Sequence, residues 1–444
     1  MTIKRNITKG TGAALWEKAK RLIPGGNQLL SKRSEMFLPD LWPAYYTRAK
    51  GIEITDLDGR TYLDFSLMGV GACALGYADS EVNAAVKHAV NSGSMSTLNA
   101  PEEVELAELL CELHPWAKKV RYARTGGEAM AIAVRIGRAH TGKDTVIFCG
   151  YHGWSDWYLA TNLADEKGLN EHLLSGLAPI GVPSVLRGTM APFSYNRIDE
   201  LEKMIAAHKN IGVIIVETVR YQKPENGFLE KVRSLATKIG AVLIFDEITI
   251  GWRLTLGGAH MLYGVYPDIA VFGKSIANGY AMAAIIGRKE VMDSAQKTFI
   301  SSTFWTERIG PIAAIATIHK MKKVNLAAHL KNIGSLIKDG WKELAFKHGL
   351  KINIHGPEAL TGFAFEYGEE SQAVRTLFTQ EMLRRGFLAS GGVYVSYAHT
   401  ERLVKRYLSA VDEVFGLIAR AIQKKVVASL LHGPVAHSGF QRLT

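Results

Sequence analysis

The chain has 444 residues, beyond the size at which a single hydrophobic core usually stops growing, so two domains are expected. Hydrophobic residues make up 47% and charged residues 21%, the balance of an ordinary globular chain, and no apolar run is long enough to cross a bilayer. The 53 Lys and Arg against 42 Asp and Glu leave a charge of +11, yet the basic residues are dispersed and no nucleic-acid motif accompanies them.

Cys73, Cys111 and Cys149 are few and lack metal-ligand spacing, which points to a reducing compartment and no metal site. Met1–Arg5 is basic but no apolar segment follows, so a cytoplasmic protein without a signal peptide is expected.

In chain order, Thr11–Leu22 has helical periodicity and stops at Ile23-Pro24-Gly25-Gly26. The stretch to Ala49 reads as irregular, an arm lying over another domain or subunit. Gly51–Phe65 reads as a hairpin turning at Asp58-Gly59. Gly69, Gly71 and Gly76 mark a loop, and amphipathic helices are expected over Ser80–Ser92 and Pro101–His114.

Val120–Ala123 is a short strand, and Arg124-Thr-Gly-Gly-Glu-Ala129 then opens a helix to about His140. A glycine pair at a helix start presents backbone N–H groups at the positive end of the dipole, a seat for phosphate. Thr145–Cys149 is an apolar strand ending at Gly150-Tyr-His-Gly-Trp154, where an aromatic ring can stack on a planar ligand. Gly212–Val216 is another, and it ends on Glu217.

Ala241–Phe245 is wholly apolar and stops on Asp246 and Glu247; the strand over Asp268–Gly273 delivers Lys274 just past its end. Branched apolar runs of this kind are strands buried on both faces of a parallel sheet, and ligands of such sheets sit at the carboxyl ends. An acid and a lysine at neighbouring strand ends suit pyridoxal phosphate, which needs an amine for a Schiff base and a carboxylate for its ring nitrogen. The plain alternative is a loop-capping Asp and a surface Lys, and for an isolated pair it is the usual case.

Further on, Ala281–Gly287 reads as a strand, Phe299–Trp305 as an extended loop with three hydroxyls, and Ile309–Met321 as a long apolar helix. Helices at about Ala327–His348, Ser371–Arg385 and Thr400–Val427, with strands near Lys351–Ile354 and Gly362–Glu366, give an α+β end to the chain. The polar stretch from His432 to Thr444 reads as a mobile tail.

These motifs, in this order, resemble the class III (ornithine/GABA-type) PLP-dependent aminotransferases of fold type I, most of all the glutamate-1-semialdehyde 2,1-aminomutase branch. Carrying the resemblance are Asp58-Gly59-Arg60 before Tyr62-Leu-Asp64, Thr125-Gly-Gly-Glu-Ala129, Tyr151-His-Gly153, Asp246-Glu-Ile-x-x-Gly251 and Lys274 beyond it. It implies an α/β fold: a large PLP-binding domain with a mostly parallel sheet over residues 66–310, and a smaller α+β domain over 311–444. Residues 1–65 would form an arm and hairpin, part of the small domain and a cover for the site.

The resemblance also implies roles. Lys274 would carry the cofactor and shuttle a proton; Asp246 would pair with the ring nitrogen. Tyr151 would stack on one ring face and Ile248 pack on the other. Thr125, Gly126 and Gly127 would hold the phosphate, and Glu217 would lie near the ring oxygen or the substrate. Thr303 would reach the phosphate of a second subunit, implying a homodimer with shared sites. Leu29 and Lys32 stand where the aminomutase has a serine and an arginine for the substrate carboxylate, which turns attention to Lys32, Arg220, Tyr221, Arg253 and Arg308 as the lining of a remodelled pocket.

Amino transfer from an amino acid, glutamate by analogy, to the keto or aldehyde group of a small polar or anionic acceptor is therefore expected. Intramolecular amino transfer of the aminomutase kind is the second reading, and a non-catalytic PLP-binding protein the third.

Overall fold

The computed structural model describes residues 9–170, 172 and 176–439; the basic start Met1–Arg5 and residues 440–444 of the expected tail lie outside the described residues. Among the described residues, fourteen strands and ten helices of two or more turns follow one another, with short one-turn helices between them. The first part runs α1 (Thr11–Leu22), β1 (Tyr46–Lys50), β2 (Glu53–Asp56), β3 (Thr61–Phe65), α2 (Ser80–Asn91), α3 (Glu102–Leu113) and β4 (Lys119–Ala123). Next come α4 (Gly126–Thr141), β5 (Thr145–Cys149), β6 (Met190–Pro192), α5 (Ile198–Ala207), β7 (Ile211–Glu217), α6 (Phe228–Ile239), β8 (Val242–Asp246), β9 (Ile269–Phe272) and β10 (Ala283–Gly287). The last part is α7 (Ile309–Lys323), α8 (Leu326–His348), β11 (Ile352–His355), β12 (Leu360–Phe365), α9 (Ser371–Arg384), β13 (Phe387–Ala389), β14 (Gly392–Tyr394) and α10 (Glu401–Gln423).

The chain divides into two compact units, one made of residues 80–327 and the other of residues 1–79 with 328–444. The boundaries thus fall after Asp79 and Ala327, not after residues 65 and 310. α7 explains the second difference. It packs on α2 and α3, and Lys320 and Lys323 reach Glu81, so it belongs with residues 80–327.

That unit is built on a seven-stranded sheet in the order β4-β10-β9-β8-β7-β5-β6. β6, β5, β7, β8 and β9 run parallel, and β10 is antiparallel to both its neighbours. Every residue of β5, β7, β8 and β9 is buried, because alternate side chains feed two cores. Val146, Phe148, Val213, Ile215 and Ile244 pack towards Ile132, Ala133 and Ile136 of α4. Ile147, Ile214, Val216, Leu243 and Phe245 face Leu229, Val232 and Ala236 of α6. Each such side chain contributes about 1.5–3 kcal/mol, so truncating Ile244 to Ala in this sheet costs about 2–5 kcal/mol. α4 starts in a capping box: Thr125 Oγ1 accepts from Glu128 N, and Glu128 Oε2 accepts from Thr125 N at 2.9 Å.

The other unit holds two smaller sheets, β1-β2-β3-β13 and β11-β12-β14. Its interior is aromatic. Phe363, Phe365, Phe378 and Phe415 meet edge to face or tilted, and Phe65 stacks on Tyr407 with ring centres 4.3 Å apart. Residues 432–439 do not dangle: Ala436 is buried and its N–H reaches Thr376 Oγ1, while His437 N–H reaches the Glu35 carbonyl.

Candidate active site

Parallel pairing sets the site. Glu217 and Asp246 are register partners at the carboxyl ends of β7 and β8, and β9 brings Val271 level with Asp246. Asp246 is buried. Its Oδ1 accepts from Ile248 N at 3.0 Å, and its Oδ2 accepts from His152 Nδ1 at 2.8 Å. His152 Nε2 faces the Cys149 carbonyl at 3.2 Å, so the imidazole is fixed from both sides.

Lys274 follows Gly273 with φ +44°, a backbone region that non-glycine residues rarely occupy. Strain of this kind costs about 1–3 kcal/mol and persists where the surroundings over-determine the residue. Its Nζ donates to Thr249 Oγ1 at 2.8 Å. Burial pulls the Lys274 amine down to about 8; the Glu217 carboxylate works against that, Arg253 works with it, and Asp246 works against it. A buried amine lowered in this way is a nucleophile near neutral pH.

Glu217 is buried, and its Oε2 accepts from Tyr151 N at 2.9 Å and lies 3.3 Å from Arg220 Nη1. Burial pushes its carboxyl up, Arg220 opposes the push and Asp246 adds to it.

Pyridoxal phosphate fits these residues. The first N–H groups of α4 have no partner inside the helix. A Cβ at Gly126 would come within 3.0 Å of Ile248 Cδ1, so the missing side chain keeps a cradle open beside Ile248. Ile248 also lies 3.3 Å from where a Cβ of Gly273 would be, and so spans from the phosphate cradle to the lysine. A lysine amine, a buried carboxylate and an anion seat therefore share one sheet edge.

The class-III aminotransferase family matches residues 39–407. The chain belongs to that family. It is a PLP-dependent aminotransferase of fold type I. It is 32% identical over 413 residues to a 3-aminobutyryl-CoA aminotransferase of Cloacimonas acidaminovorans, covering 90% of this chain and 95% of that protein. A glutamate-1-semialdehyde 2,1-aminomutase of Dechloromonas aromatica is 31% identical over 426 residues, 90% of this chain and 97% of the other. Among solved structures, the FumI protein of Sphingopyxis sp. MTA144 in its PLP internal aldimine form superposes with a TM-score of 0.84 at 26% identity, over 93% and 98% of the two chains.

In this aminotransferase, residues 80–327 carry Lys274, Asp246, Glu217, Tyr151, Ile248, Thr125, Gly126 and Gly127 around the one sheet edge. The remaining residues singled out in the sequence are spread more widely. Thr303 is exposed at the start of a one-turn helix. Arg308 pairs with Glu102 of α3. Arg253 is 1% exposed and its Nε donates to the Thr249 carbonyl, so it braces the turn after β8 and is no open pocket wall. Arg220 is engaged by Glu217 and by the His172 carbonyl, and its guanidinium lies 5.0 Å above the exposed ring of Tyr221. Lys32 is exposed in the other unit.

Two contributors escape a reading of the sequence. His152 lies inside the Tyr151-His-Gly153 motif, but its bond to a residue 94 positions away leaves no sequence signal. Thr249 occupies an unspecified position of the Asp246-Glu-Ile-x-x-Gly251 motif, and its hydroxyl in the turn after an acid-ended strand was the only hint.

No group of His, Cys, Asp and Glu placed to hold a metal occurs among the described residues, and no described helix is long and apolar enough to cross a membrane.

Proposed function

We propose that Lys274, Asp246 and Tyr151 form the reacting centre of an aminotransferase that takes the amino group of glutamate and passes it to a keto or aldehyde carbon of a small polar or anionic acceptor. The convergence of the depressed Lys274 amine and the buried Asp246 carboxylate at adjoining strand ends carries this reading.

Each residue then has a defined task. Gly126 and Gly127 N–H groups, with Thr125, hold the phosphate at the positive end of α4. Asp246, oriented by His152 and Ile248 N, keeps the ring nitrogen protonated. Ile248 and Tyr151 hold the ring plane, and Glu217 sits on the Tyr151 side. So bound, the cofactor supplies an electron-withdrawing ring that takes up the charge left when a proton leaves the amino-bearing carbon. Lys274 Nζ holds and returns that proton, with Thr249 Oγ1 as the rest position of the amine.

The acceptor side is read from Arg220 and Tyr221 beyond β7. The relatives' names include an acyl-CoA substrate and a semialdehyde, both polar and anionic molecules, which is in keeping with this class. Thr303 opens a one-turn helix that exposes Phe304, Phe299 is exposed just before it, and the Ser94 carbonyl, in a stretch that also exposes Met95 and Leu98, accepts from Arg308 N. Exposed apolar side chains of this sort suit a subunit interface, so a cytoplasmic homodimer with shared sites is part of the proposal.

The test is a half-reaction. Loaded enzyme mixed with glutamate and no acceptor should lose its colour and release one 2-oxoglutarate per site. Failure with glutamate and with every other donor amino acid, together with conversion of glutamate 1-semialdehyde in the absence of any donor, would favour the aminomutase reading that the second relative supports. Loaded enzyme inert in both assays would leave a PLP-binding protein without catalysis.

A further inference from the structure

The turn between β5 and the helices after it does more than present Tyr151. Gly153 has φ +107°, and a Cβ there would lie 3.2 Å from Gly127 Cα, so the turn rests directly on the first turn of α4. The next residue, Trp154, is 71% exposed, yet its indole is turned onto the same helix start. A Cβ on Gly127 would meet Trp154 Nε1 at 3.0 Å and Cδ1 at 3.2 Å. The edge of the ring that carries the N–H therefore abuts the space a side chain of residue 127 would fill.

The helix offers little of its own at that place. Thr125 Oγ1 accepts from Glu128 N, and the Glu128 carboxylate is taken by the N–H groups of Arg124 and Thr125. Gly126 and Gly127 contribute backbone N–H groups only. An indole N–H is a donor and never an acceptor, and it suits a phosphate oxygen.

We propose that Trp154 Nε1–H donates a hydrogen bond to the cofactor phosphate, in place of the side-chain donor that Gly127 lacks. This rests on the assignment of the α4 start as the phosphate seat. Two glycines, at 127 and 153, are what allow the turn and the indole to come so close.

The experiment compares PLP with pyridoxal, which has the same ring and aldehyde without the phosphate, binding to apoprotein at equilibrium. Wild-type protein should bind PLP far more tightly than pyridoxal. Equal affinities would sink the phosphate seat itself, whatever Trp154 does. Given that discrimination, Trp154→Phe keeps an aromatic ring and removes only the donor. It should weaken PLP roughly ten- to a hundredfold while pyridoxal stays within about twofold.

Unchanged PLP affinity in Trp154→Phe would overturn the proposal. So would equal weakening of both ligands, which would make Trp154 a structural or ring contact. A second pair stands apart from the folding of that variant. Trp154→Ala should weaken PLP, and Gly127→Ser added to it should restore binding by growing a hydroxyl into the vacated space. No recovery in a folded double variant would count against a donor at this position.

Discussion

Lys274 is the group whose surroundings make the sharpest quantitative demand. An ordinary lysine amine titrates near 10.5, whereas burial among Glu217, Arg253 and Asp246 brings this one to about 8. At pH 7 an amine of pKa 8 is neutral in about one molecule in eleven, and an ordinary one in about one in 3,000, so the site is roughly 300-fold richer in nucleophile. The capture of PLP by apoprotein, followed by visible absorbance, should therefore speed up about tenfold per pH unit and level off near 8. Nα-acetyl-lysine run beside it removes the titrations of PLP itself. Glu217→Gln takes away a carboxylate that favours the ammonium, so the levelling point should fall. A capture rate that keeps climbing from pH 8.5 to 10, as the free lysine does, would refute the burial argument. Stability follows with a definite sign. The unfolded chain binds the extra proton between about 8 and 10.5, so apoprotein stability should rise through that window, and the cost of about 3 kcal/mol is fully present below it.

Asp246→Asn should retain PLP but lower turnover by orders of magnitude, measured as kcat in the glutamate half-reaction, because a neutral amide no longer holds the ring proton. His152→Leu removes the bond to Asp246 Oδ2, and the loss of a hydrogen bond to a charged group should lower kcat by roughly ten- to a hundredfold; a change smaller than threefold would remove His152 from the list of positioning residues. Thr249→Val should shift the pH profile of PLP capture while Thr249→Ser keeps it, since only the hydroxyl meets Nζ. Thr303→Ala should weaken PLP in the assembled dimer, and identical affinity in an ultracentrifuge-verified dimer would exclude it from the neighbouring site.

Much of the fold can be read in the chain because its central strands are pure. β5, β7, β8 and β9 are apolar throughout, and their two-sided burial is what such runs require. The elements that escape are those whose stability comes from distant partners. β13 has three residues and exists because Phe387, Leu388 and Ala389 pair with Leu63, Asp64 and Phe65 far back in the chain. β1 is exposed along nearly its whole length, with no alternation to betray it, and is held by β2. The site divides in the same way. Asp246 and Lys274 announce themselves as charges at the ends of apolar strands. Arg253 also looks like a free cation in the sequence, and only its burial and its bond to the Thr249 carbonyl reveal a brace.

The braced turn after β8 links the two ends of the site. Asp246 begins it, Ile248 packs beside both Gly126 at the start of α4 and Gly273 before the lysine, and Thr249 holds the lysine amine. Ser275, next to that lysine, donates back to the Gly251 carbonyl of the same turn. A displacement of the turn would therefore act at once on Asp246, Ile248 and the Lys274 amine, the groups proposed to hold the ring and carry the proton. Lys274, with φ +44°, stands between Gly273, packed beside Ile248, and Ser275, bonded to the turn.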